Sequence, residues 1–368
     1  MATYTPNFDV KVYGGAVGDG VTDDTAAIQR TINDAAQAMY SRGGAGVVYF
    51  PPSKDWYRVT DLHIPPMSYS QGWLTLLFDN GLLVEGSIYP TVGNAFIGRT
   101  SSYGAMGGSF VWGPFAEWQK EKYSKTPGPV VTMYGTSGIY FEGIGFADAG
   151  GGPTTVLMHS SPTNTAYDAG LGSGCVNTVF NRCTIIGRLL IDRDTPYNAG
   201  FGLRMDKCSV NGTLEMHDYG DVVIRDGFVR KILAYDSGGI TLENILTESL
   251  NNEDFFEWHK AGGPGIATNV SMTNVSVADS VNSYYFKLMN DVPNSTWTPN
   301  IKMVNCGGNP VNPASNCNPS IWAEGNYAYL VQQLTTPQLY CSLAWGPKSG
   351  LTIKGSPWLT TPFNVIPK

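Results

Sequence analysis

The sequence predicts an all-β fold, a single-stranded parallel β-solenoid with a capping α-helix at its N-terminal end. Three observations predict it. Of 368 residues 44 are Gly and 23 are Pro while only 14% are charged, a balance that suits short strands and turns better than solvated helices. A six-residue pattern recurs seven times beyond residue 138. One amphipathic run sits near the start and is followed at once by a strand with a proline stop.

The opening stretch VYGGAVGDGVTDDTAAIQRTINDAA (12–36) packs glycines and aspartates ahead of a helical pattern. Ile28, Ile32, Ala35 and Met39 recur at the spacing of one helix face, and Asp24 is a suitable N-cap. The helix is expected to end in SRGGAG, where Gly43 and Gly44 can turn left-handed, and VVYFPP reads as a strand stopped by Pro51 and Pro52. Asp19, Asp23 and Asp24 are read as acceptors for the free backbone N–H groups of a glycine turn and a helix start, rather than as a calcium or catalytic cluster.

The repeat has the form apolar, any, apolar, any, any, small or apolar. It reads IYFEGI (139–144), TVFNRC (178–183), LRMDKC (203–208), VVIRDG (222–227), ITLENI (240–245), VSMTNV (270–275) and IKMVNC (301–306). With Phe180, Met205, Ile224, Leu242, Met272 and Met303 in register, successive separations are 25, 19, 18, 30 and 31 residues. A β-solenoid coil needs roughly 18–25 residues and loop insertions lengthen it, so the series fits stacked coils. Cys183, Cys208 and Cys306 then fall at an interior offset and are expected to be reduced core thiols, whereas pairing among Cys175, Cys317 and Cys341 stays open. Asn244, Asn274 and Asn305, with Asp226 among them, predict an inward asparagine ladder.

FDVKVYGGAVGDGVTDDTAAIQRTINDAA followed by GGAGVVYFPP closely resembles the N-terminal signature of the pectate-lyase superfamily of right-handed parallel β-helices, which includes phage tailspike depolymerases, exo-glucanases, polygalacturonase-like hydrolases and mannuronan epimerases. The resemblance covers about residues 8–65. It implies an N-terminal cap over the first coil, with the chemistry on the coils beyond. The family's GHG, RIK, NTD and DPHE motifs are absent, as is the vicinal Asp–His pattern of pectate lyases, so no catalytic residue carries over. The expected organisation is one structural domain: cap 1–65, coils with loop insertions 66–320, and closing strands 321–368.

A second strand follows the register residue by 11 positions in three coils, at Ile191, Met216 and Tyr235. Period-2 alternation then points Leu189, Ile191, Leu214, Met216, Leu233 and Tyr235 inward, and leaves Asp192, Glu215, His217 and Asp236 outward. In DFFEWHK the pattern turns Phe256 and Trp258 in, Glu257 and His259 out, and the next coil presents Lys287. Equivalent residues on neighbouring coils rise by about 4.8 Å, so this row would concentrate ionisable groups on one face. Glycoside hydrolysis uses two carboxyl groups, about 5–5.5 Å apart for retention or roughly 6.5–9.5 Å for inversion. Glu215 with Asp236 is the first candidate pair and Glu257 the reserve, with His217 and His259 positioning groups or, in a lyase or epimerase, abstracting a proton while Lys287 or Arg193 neutralises a uronate. Asp192, Arg193 and Lys287 are candidate substrate-binding residues, with Trp112 and Trp118 in a loop or short helix over the groove offering rings for sugars.

A net charge of −7 with 23 Lys plus Arg excludes a nucleic-acid stripe, and no apolar run is long enough to span a membrane. The start MATYTPNFDV lacks the features of a secretory signal, so any export signal is expected to be missing or already removed. Without Cys-x-x-Cys or a Cys/His cluster, no metal or cofactor is expected. The sequons at Asn211, Asn269, Asn274 and Asn294 fit chance occurrence at this composition. The reading is an extracellular or virion-borne polysaccharide-degrading enzyme, monomeric or a tailspike-like homotrimer, a hydrolase ahead of a lyase or epimerase. The alternative from another class is a non-catalytic carbohydrate-binding adhesin.

Overall fold

A computed structural model describes residues 8–42, 46–67, 72–99, 108–112, 128–148, 154–160, 174–193, 200–248, 255–263, 269–278, 286–290, 300–304, 307–308, 320–324, 330–334, 342–345, 351–354 and 366–367. The chain groups into two compact units, Met1–Leu190 and Ile191–Lys368. In both, each described strand pairs in parallel with the equivalent strand of the next coil, the arrangement of a parallel β-helix.

The first unit opens with the cap. The helix Thr25–Arg42 buries Ile28, Ile32, Ala35 and Met39, the face predicted by their spacing. Asp24 precedes it; its backbone carbonyl accepts from Ile28 N, and its carboxylate accepts from Val17 N (2.7 Å) and Gly18 N (3.0 Å). Asp19 accepts from Val21 N and Thr22 N, and Asp23 from Thr25 N. These carboxylates thus hold the glycine turn to the helix start, as read from sequence. Gly18 is required there, because it sits at φ +66° and a Cβ would meet the Tyr57 ring at 2.8 Å. Gly43 and Gly44 lie outside the described residues.

Three columns of strands build this unit. One runs through Gly46–Phe50, Leu74–Phe78, Val92–Gly98, Ser137–Glu142 and Cys175–Asn181. Its inward residues stack ring on ring: Phe141 lies between Phe96 (4.8 Å) and Phe180 (5.0 Å). The second contains Leu82–Val84, Gly108–Trp112 and Ile144–Asp148. Trp112 therefore ends a strand of the column, not a loop or helix, because Val111 and Trp112 continue the pairing of Leu83 and Val84. Trp118 lies outside the described residues. The third contains Leu62–His63, Ile88–Tyr89, Val131–Tyr134 and Val156–Ser160.

In the second unit the predicted register appears as strand pairing: Met205 opposes Ile224, Ile224 opposes Leu242, Leu242 opposes Met272 and Met272 opposes Met303. Asp226, Asn244 and Asn274 each take the left-handed conformation, with φ of 52–55°, at the corner that follows. Asn274 donates to Asn244 (2.9 Å) and Asn244 to Asp226 (2.8 Å). The ladder exists, but it is exposed rather than inward, since a positive-φ corner turns the side chain away from the coil interior. Asn305 lies outside the described residues. Cys175, Cys183 and Cys208 are buried free thiols, and burial pushes the Cys175 thiol pKa up; Cys306, Cys317 and Cys341 lie outside the described residues.

Phe141→Ala empties the centre of the ring stack and is expected to destabilise the protein by about 3–5 kcal/mol in chemical denaturation. Asp24→Ala leaves two backbone donors without their acceptor and is expected to cost about 1–3 kcal/mol. Burial raises the Asp24 carboxyl pKa, so the folded chain holds that proton more tightly than the unfolded one. Its contribution to stability therefore falls as pH rises just above the ordinary carboxylate range, and denaturation midpoints across that window should lose this component in the variant.

Candidate functional site

The site is built in the second unit by three parallel strands, Ser209–His217, the C-terminal half of Tyr219–Tyr235, and Phe256–Lys260. Pairing sets Glu215 opposite Leu233 and Leu233 opposite Glu257; two residues on, His217 opposes Tyr235 and Tyr235 opposes His259. Leu214, Met216, Ile232, Ala234, Phe256 and Trp258 face the core. Glu215, His217, Glu257 and His259 face outward, as the alternation predicts.

The middle strand corrects the expectation. Ile232 and Ala234 point inward while Leu233 and Tyr235 point outward, the reverse of the phase read from the constant offset. The cause is a register shift between Val210 and Thr213, which gives the first strand one more residue than its neighbour. An extra residue flips every side chain beyond it to the other face. The signal is in the sequence: Asn211–Gly212 is a turn-type dipeptide inside a strand pattern. Tyr235 is thus a row member that the sequence reading placed in the core.

The row is a stack of rings. Tyr235 lies 4.6 Å from His217 at 15° and 4.6 Å from His259 at 29°. The His217 side chain is the more open of the two imidazoles, at 32% exposure against 12% for His259, whose Nε2 is buried. His217 Nε2 is hydrogen-bonded to Glu215 Oε1 at 2.7 Å, whereas His259 Nε2 stands 3.5 Å from Glu257 Oε2, within ion-pair range only. Lys231 Nζ stands 2.9 Å from Glu257 Oε1, a cation that the corrected phase brings to this face. Because Leu233 intervenes, the two glutamates stand two coils apart, roughly 9–10 Å between backbones.

Asp236 does not join this row. It follows the strand at φ +47°, is 3% exposed, and its carboxylate accepts from Lys260 Nζ (2.6 Å), Ala261 N (3.1 Å) and Gly263 N (2.6 Å). The one-residue change of phase moves it from the outward face into the turn. Asp218, unremarked in the sequence, takes the same position one coil earlier, at φ +51° and 7% exposed, and is ion-paired with Arg193. Arg193 is correspondingly committed to that pair. Asp192 accepts from Arg193 N at 2.7 Å. Lys287 is the strand partner of Glu257 by register. Below the site, Trp258 Nε1 donates to Ser237 O (2.7 Å) and Ser237 Oγ donates to Tyr235 O (3.0 Å), which anchors the turn after Tyr235 to the core. Among the described residues no group of three His, Cys, Asp or Glu side chains is placed to hold a metal ion, and no helix is long and apolar enough to cross a membrane.

Residues 8–60 match the family described as rhamnogalacturonase A/epimerase, pectate lyase-like. No curated protein matches the sequence. Among solved structures, the chain is similar to PfbA, a surface adhesin of Streptococcus pneumoniae, at 13% identity and a TM-score of 0.46 over 95% of this chain and 91% of that one. It is similar to the A-module of the mannuronan C-5 epimerase AlgE6 of Azotobacter vinelandii at 16% identity and a TM-score of 0.35, over 95% and 100%. It is also similar to the ORF18 protein of Geobacillus virus E2 at 13% identity and a TM-score of 0.32, over 94% and 61%. The chain is a parallel β-helix whose residues 8–60 match the rhamnogalacturonase A/epimerase, pectate lyase-like family.

Proposed function

We propose that the protein is a glycoside hydrolase that cleaves an extracellular or cell-surface polysaccharide, outside the cell or from a virion, with Glu215 and Glu257 as its carboxyl pair. The observation that carries this reading is the two-coil separation of these glutamates across outward-facing Leu233, with an imidazole beside each. That spacing suits inversion, in which an acid and a base flank the bond with room for a water between them. The Glu215–Asp236 pair on adjacent coils would have suited retention, but Asp236 is enclosed by its four partners around residues 259–263.

The two glutamates differ in company, which divides the roles. Glu257 has a lysine at 2.9 Å, a setting that favours a carboxylate, and serves as the base that activates water. Glu215, hydrogen-bonded to His217, is left the role of acid toward the leaving oxygen. Leu233 provides an apolar patch between them for the sugar ring, while the edges of His217 and Tyr235 meet hydroxyls.

A second reading, a lyase or epimerase acting on a uronic-acid polymer, is favoured by one observation. A phenol flanked by two imidazoles at 4.6 Å, with Lys231 on the same strand as the phenol, offers a base and a carboxylate-neutralising cation. Incubation with neutral and uronic polysaccharides separates the readings. Reducing ends without ultraviolet absorbance from an unsaturated product support hydrolysis, both together support a lyase, altered uronate stereochemistry without cleavage supports an epimerase, and binding with none of these supports an adhesin. Under the hydrolase reading, Glu215→Gln and Glu257→Gln should each lower kcat by about 10²–10⁴-fold in a reducing-end assay, and proton NMR should show inverted anomeric product.

A further inference from the structure

We infer that Asp236 is a positioning residue that locks the His259 ring against Tyr235, and so acts on the reaction without touching substrate. This rests on the hydrolase reading for its kinetic consequence, though not for its geometry. Asp236 grips the chain just beyond His259 at four points. Its own backbone N donates to His259 O at 2.8 Å, and its carboxylate receives Lys260 Nζ, Ala261 N and Gly263 N. Lys260 Nζ also reaches Gly263 O at 3.4 Å, closing the turn on itself.

The grip repeats one coil earlier. Asp218 N donates to Tyr235 O at 2.9 Å, and its carboxylate is held by Arg193. Gly263 joins the two, for its N–H binds Asp236 while any Cβ at this position would collide with the Asp218 carboxylate. Two aspartates in left-handed conformation, each bonded through its N–H to the carbonyl of the next ring-bearing residue, therefore fix where Tyr235 and then His259 end their strands. A buried carboxylate with three donors resists displacement, because losing them would leave the Asp236 acceptor oxygens unsatisfied in a buried site. The groups around His259 are Glu257 on its own strand, Tyr235 and Asp236 on the preceding coil, Lys260 beside it, and Lys231 through Glu257.

The test uses the full-length protein and three variants, Asp236→Asn, Lys260→Met and, as a control in the exposed ladder, Asn244→Ala. The nuclear Overhauser contact between the Tyr235 and His259 rings is measured in each, together with kcat and KM on whichever glycan the wild-type protein cleaves. The clamp predicts that Asp236→Asn weakens the ring contact at least about threefold and lowers kcat by about 10- to 100-fold with KM nearly unchanged, as expected for a misplaced group. Lys260→Met should move both in the same direction by less, and Asn244→Ala should move neither. A wild-type ring contact and wild-type kcat in Asp236→Asn would overturn the inference. If that variant does not fold, an unchanged contact and kcat in Lys260→Met would overturn it instead. Should the wild-type protein cleave no glycan, the hydrolase reading fails while the ring contact still decides the clamp.

Discussion

Parallel pairing between successive coils is the constraint on which everything else depends. Each coil must satisfy its backbone N–H and C=O groups on the coil before and the coil after, so residues far apart in sequence are held about 4.8 Å apart in columns. Inside, the columns become stacks, as where Phe96, Phe141 and Phe180 pack ring on ring. Outside, the same rule brings His217, Tyr235 and His259 into contact although 42 residues separate the first from the last. Stability and candidate chemistry are thus two faces of one pairing pattern.

Because side chains alternate, one residue more or less in a strand decides which set faces water. The shift between Val210 and Thr213 sets Leu233 and Tyr235 outward and sends Asp236 into the turn. Its effect on the site is large. It separates the outward-facing carboxyl groups by two coils instead of one, adds Tyr235 and Lys231 to the face, and turns an apparent acid–base candidate into a buried acceptor. The corners matter for the same reason: left-handed Asp218 and Asp236 end their strands at fixed points, and the exposed Asp226–Asn244–Asn274 ladder ties corners together elsewhere.

Much of this was legible in the sequence. The capping helix and its buried face followed from spacing, which acts over a few residues; Asp24 stands at the N-cap position, but its carboxylate accepts from the glycine turn and not from the helix. The register through Ile224, Leu242, Met272 and Met303 followed from a repeated pattern, because buried positions tolerate few residue types. Glu215, His217, Glu257 and His259 were placed outward by alternation within single strands. What failed depended on counting across coils: a fixed offset carried Tyr235 and Asp236 past a bulge that only Asn211–Gly212 hints at. Asp218 and Lys231 were missed because their importance lies in partners, Arg193 and Glu257, supplied by other coils. The strand character of Gly108–Trp112 was missed because pairing with other coils, not local pattern, makes it a strand.

The central claim is the outward phase of the middle strand, and a crystal structure of the full chain measures it most directly. The account predicts the Tyr235 ring between the His217 and His259 rings, with Ala234 in the core and Asp236 bonded to the Gly263 N–H. Electron density with Ala234 facing solvent and Tyr235 buried would contradict it.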